Sequence, residues 1–103
     1  MNIIFGRHNA DLLRERHIIL DLETLDADGQ ALECFCLVDG AAIPTNELAS
    51  LRHSVRLHDK LVENLRKKNY AVCAELIEHL RGRFGGELDS FYDHVIERSK
   101  PTV

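Results

Sequence analysis

Two apolar runs between His17 and Val38, separated by Asp26-Ala27-Asp28-Gly29, constrain this chain more than any other feature. The first, His17 to Leu25, alternates Ile18, Leu20 and Leu22 at the period of a half-buried strand. The second, Ala31 to Val38, follows directly after an Asp-Gly pair of the kind that closes tight hairpins. The pattern predicts an antiparallel hairpin. With a loop of two or four residues, cross-strand pairing places Ile18, Leu20 and Leu22 on one face with Phe35 and Leu37. The opposite face then carries Ile19, Asp21, Glu23, Cys34, Cys36 and Val38, a mixed set expected to be at least partly open to solvent.

Asn2 to Phe5 reads as a further short strand stopped by Gly6, and Asn9 to Arg16 as a short helix that Asn9 or Asp11 can cap. Pro44 and Thr45 end the sheet region. From about Asn46 to Lys68 there is no Gly or Pro, and Leu48, Leu51, Val55, Val62 and Leu65 recur at helical spacing. Arg66-Lys67-Lys68 puts positive charge at the negative end of that helix dipole. A second helix starts at Asn69 and carries Val72, Cys73, Leu76, Ile77 and Leu80. Gly82, Gly85 and Gly86 break the pattern before a last amphipathic helix, with Leu88, Phe91, Tyr92, Val95 and Ile96 on one stripe, running to about Ser99.

This order predicts an α+β fold: a small sheet of about three strands covered on one face by C-terminal helices. A chain of 103 residues is the size of one domain. Residues 1–43 are mainly sheet with one short helix, 44–99 form three helices, and 100–103 make a tail.

Leu61 and Leu65, Asn69-Tyr70 at the turn, and Cys73, Ile77 and Leu80 beyond it give the stretch from Leu57 to Phe84 a spacing that resembles one tetratricopeptide-type helical hairpin. The glycine usual near the end of the first helix is missing and no second copy follows. The resemblance therefore implies a local helix-turn-helix and not a repeat array. As a whole, with its opening strand and its closing Gly85-Gly86-Glu87-Leu88-Asp89-Ser90-Phe91-Tyr92, the chain resembles small bacterial and phage-type proteins of unassigned function. That resemblance implies no particular activity.

Lys and Arg number 13 against 17 Asp and Glu, for a net charge of -4, which does not attract nucleic-acid backbones. The basic residues Arg52, Arg56, Lys60, Arg66, Lys67 and Lys68 are interrupted by Asp59 and Glu63 and lack interleaved aromatics, so they read as a solvated helix face. No apolar run suggests a membrane span, and the opening residues are too few for a signal-peptide core. The three cysteines cannot all pair, so reduced thiols and a cytoplasmic location are expected.

Asp21, Glu23, Cys34 and Cys36 on the mixed face are the candidate metal ligands, with Cys73 or a histidine as a further donor. Alternate strand cysteines serve more often as small buried hydrophobes, and Asp28-Gly29 is explained by the turn. His53 and His58 lie five apart and diverge on a helix, whereas Glu75 with His79 and Asp89 with Asp93 share faces as ordinary solvated neighbours. Gly85-Gly86 is not followed by the Lys-Ser or Lys-Thr of a phosphate loop, and serine-nucleophile motifs are missing. No cofactor is expected. The sequence thus points to a binding or adaptor module that engages another protein or its own copy, with a metal-binding or metal-dependent enzyme on the mixed face as the alternative.

Overall fold

Asp28 and Gly29 both adopt positive φ, 53° and 81°, the requirement of a two-residue type I′ turn whose twist suits a hairpin. The turn joins β2 (Ile18–Ala27) to β3 (Gln30–Val38). A short strand, β1 (Asn2–Phe5), lies antiparallel along the other side of β3, giving the order β1-β3-β2. The computed structural model describes residues 1–99, with Ala27 described by its backbone alone; the predicted tail lies outside the described residues.

Next to the turn, Leu25 pairs with Leu32 and Thr24 with Glu33; farther along, Asp21 pairs with Phe35, Leu20 with Cys36 and Ile18 with Val38. Two residues, Leu22 and Glu23, therefore stand opposite Cys34, which is a β-bulge. One extra residue reverses which side chains share a face, and the expected grouping is corrected accordingly. Ile18, Leu20 and Leu22 do share a face, but with Cys34, Cys36 and Val38 rather than with Phe35 and Leu37. Phe35 and Leu37 point the other way and pack with Ile19, Ile4, Ala10 and Leu13.

Both faces of the sheet are thus covered. The smaller cover is α1 (Arg7–Leu13), which buries Ala10 against Phe35 and Ile19. Arg7 and Arg14 place their guanidinium groups 5.4 and 5.9 Å from the Phe35 ring centre, adding cation–π contacts at the rim.

The larger cover follows β3. Asp39 caps a 3-10 turn at Gly40–Ala42 by accepting from the Ala41 N–H at 3.0 Å. A second 3-10 stretch, Thr45–Ser50, leads into α2 (Leu51–Arg66), so the long helix begins later than its spacing suggests and Leu48 is left 52% exposed. α2 ends in a Schellman motif: the Asn69 N–H donates to Asn64 C=O at 2.9 Å, the Lys68 N–H donates to Leu65 C=O at 3.1 Å, and Lys68 takes φ 60°. The chain reverses there into α3 (Tyr70–Leu80), forming the expected helical hairpin.

Gly82 to Gly86 turn the chain again into α4 (Asp89–Ser99). Gly85 has φ 66°, and a Cβ on it would sit 2.2 Å from the carbonyl oxygen of Ala42, so this crossing admits only glycine. Leu61, Leu65, Leu76, Ile77, Leu80, Phe84, Tyr92 and Val95 meet Leu20, Leu22 and Cys36 in one core. Among the described residues no helix is long and apolar enough to cross a membrane.

Candidate functional site

The helical layer sits over β2, where α2 makes its principal sheet contacts, and leaves β1 thinly covered. Met1, Ile3 and Phe5 alternate toward the helix side, since Ile3 is paired with Cys36 and Phe5 with Cys34. They are 44, 49 and 50% exposed, in contrast to the fully covered Cys36. Their side chains form one wall of a groove of about 290 Å³. Leu22, Leu25 and Cys34 supply its floor and hairpin side, and Ser90, Phe91 and His94 of α4 the far wall. Glu23 stands at the rim, where it meets His94 at 3.3 Å and pairs with Arg98.

The backbone of β1 adds hydrogen-bonding capacity to this apolar wall. The Gly6 N–H donates to Glu33 C=O at 2.9 Å, which sets the alternation of the ladder: Ile4 and Asn2 bond to β3, while Ile3 and Phe5 direct their N–H and C=O groups away from it. Asn9 already donates its side-chain amide to the Phe5 carbonyl at 3.1 Å. Among the described residues no partner meets the Ile3 N–H, the Ile3 C=O or the Phe5 N–H along the edge. The outer edge of β2 is different, because it is distorted by the bulge and carries Asp21, Glu23 and Asp26, devices that discourage strand pairing.

Comparison with protein-family models, curated proteins and solved structures finds no match.

The four candidate metal ligands do not converge. Asp21 turns toward Arg14 at 3.4 Å and Arg66 at 3.6 Å, whereas Glu23 turns to α4. Cys34 and Cys36 are buried free thiols beneath the helices rather than members of an open face. Burial pushes the Cys36 thiol up to about 11 and raises Cys34 and Cys73 as well, so all three favour the protonated form over the thiolate that binds metals. Among the described residues no group of three or more His, Cys, Asp and Glu is placed to hold a metal ion.

The Asp89 and Asp93 carboxylates serve the fold. Asp89 accepts from the Gly82 N–H at 2.8 Å, and Asp93 pairs with Arg81, so both carboxylates tether the loop between α3 and α4. His79 lines a second, polar concavity of about 410 Å³ with His53, Ser54, Arg83, Glu47 and Glu78, a set of both charge signs.

Sequence reasoning missed the most buried polar group. His58 is fully enclosed, with Nε2 2.6 Å from the Asp21 carbonyl and Nδ1 3.0 Å from the Tyr92 hydroxyl. A carbonyl can only accept, so Nε2 carries the proton and Nδ1 accepts from the Tyr92 O–H; this assigns the neutral tautomer. Burial lowers the His58 pKa and raises that of Tyr92, keeping both uncharged. The signal lay in the spacing: Leu51, Ser54, His58, Leu61 and Leu65 occupy one stripe of α2. The network joins α2, α4 and β2 behind the groove and exposes no reactive atom to it.

Proposed function

We propose that this chain is a protein-interaction module that accepts an extended polypeptide segment along β1, with that segment's alternate apolar side chains entering the groove against α4. The observation that carries this reading is the coincidence of open strand-edge groups with half-exposed Met1, Ile3 and Phe5 on a single rim. Strand addition uses this combination: main-chain hydrogen bonds supply affinity and pockets for alternate side chains supply specificity. Leaving about half of Ile3 and of Phe5 wet forgoes on the order of 1 kcal/mol apiece, which an incoming apolar strand would recover. Leu12 and Val72 are also exposed but stand outside the groove, as isolated apolar residues commonly do. A cytoplasmic setting belongs to this reading and is supported by three cysteines kept as buried free thiols.

The test is selection from a displayed peptide library on the immobilised protein, followed by binding to Ile3→Lys. Enriched peptides should alternate apolar and polar residues, and the substitution should abolish their binding. Enriched peptides that lack the alternation, or that bind Ile3→Lys equally well, would refute the proposal.

A further inference from the structure

We infer that the segment received at β1 is β1 of a second copy of this chain, so that two sheets join edge to edge into one antiparallel six-stranded sheet. The inference rests on the strand-accepting reading of β1 and gives its occupant. A two-fold axis normal to the sheet at Ile3 uses every open edge group. The Ile3 N–H of each copy donates to the Ile3 C=O of the other, and the Phe5 N–H donates to the Met1 C=O of the second copy. The ladder ends there because Asn9 already occupies the Phe5 carbonyl.

The side chains agree with the same operator. Antiparallel pairing keeps each copy's helix-side residues on one face, so Ile3 meets Ile3 and Phe5 flanks Met1 of the second copy. The half-exposed rim of each groove is then covered by the identical rim of the other, and the two grooves become continuous. The strand Asn2-Ile3-Ile4-Phe5 has no charged side chain, so the pairing sets no like charges opposite one another despite the net charge of -4 per copy. It also has no Lys, Pro or bulge, whereas the bulged and acidic outer edge of β2 does not offer an equivalent surface. The asymmetry between the edges favours a closed pair over an open filament, since each copy contributes one usable edge.

Sedimentation equilibrium from low micromolar to near-millimolar concentration tests the inference. The wild type should show a monomer–dimer equilibrium. Because Ile3 lies on the axis, Ile3→Lys alters the contact twice and should weaken the dimer at least about tenfold, with circular dichroism confirming that this exposed-site variant is folded. Under mild oxidation Ile3→Cys should form an interchain disulfide and Thr24→Cys on β2 should not. A wild type that stays monomeric throughout, a dimer indifferent to Ile3→Lys, or equal cross-linking through Thr24→Cys would overturn the inference. A monomer that still takes alternating peptides in an Ile3-dependent way would overturn the dimer alone; peptides indifferent to Ile3→Lys would overturn the strand-accepting reading itself.

Discussion

Replacing Tyr92 by Phe isolates one hydrogen bond in the middle of this fold. The ring stays where it is, 5.9 Å from both the His58 and the Phe91 ring centres, so packing is conserved and no sizeable cavity opens. What disappears is the O–H that His58 Nδ1 accepts at 3.0 Å. His58 cannot answer by reversing its tautomer, because Nε2 must keep its proton for the Asp21 carbonyl at 2.6 Å. Nδ1 is left as an acceptor without a donor inside a fully buried side chain. A buried polar atom stripped of its partner costs about 1–3 kcal/mol. For a domain of this size that corresponds to a fall of roughly 5–15 °C in Tm. Urea unfolding at neutral pH, followed by far-ultraviolet circular dichroism with a fixed m-value, measures the change. A Tyr92→Phe protein within about 0.5 kcal/mol of the wild type, the range of an ordinary surface change, would refute the tautomer assignment and the network built on it.

The same histidine gives the protein a pH dependence: its folded pKa lies below the unfolded value of about 6.5, so the folded state binds fewer protons, and stability present above that pH should decline as pH falls through and below it. Urea midpoints across this range check the sign, and a flat profile would contradict it. Lys68→Gly should stabilise the protein by about 1 kcal/mol, since Lys68 holds φ 60° at a helix terminus where glycine is unstrained; a lower Tm than wild type would be the wrong outcome. Gly85→Ala should cost more than about 2 kcal/mol, because the new methyl meets the Ala42 carbonyl oxygen at a residue already in the left-handed region. Near-native stability in a thermal melt would show that the α3–α4 loop does not cross the 3-10 turn at Gly40–Ala42 so closely.

Periodicity made most elements legible, and where it failed the causes are local. The period-2 run ending in Asp28-Gly29 gives the hairpin because those two residues tolerate the positive φ that the turn needs. Only one added residue at Leu22–Glu23 defeats the facing argument, since alternation is blind to a bulge and every pairing beyond it changes sides. Phe35 therefore moved from the helix-covered face to the α1 face, and Cys34 and Cys36 from a supposedly open surface into the core. For His58 the sequence reading reached only its divergence from His53; its place on the apolar stripe of α2 is the signal that records its burial. The edge at β1 was not legible in advance, because strand order depends on which side of β3 the opening residues occupy, and that is a long-range choice that local pattern does not record.

That long-range choice has a kinetic consequence. β2 and β3 close on each other across two residues, but β1 must reach a partner about thirty positions away and gains only four paired residues for doing so. Docking of β1 is thus expected to follow hairpin formation and to be the first part of the sheet to release. If so, the Ile4 amide will trade its proton for deuterium well before that of Leu20, and equal rates at the two positions would show that the sheet opens as one unit.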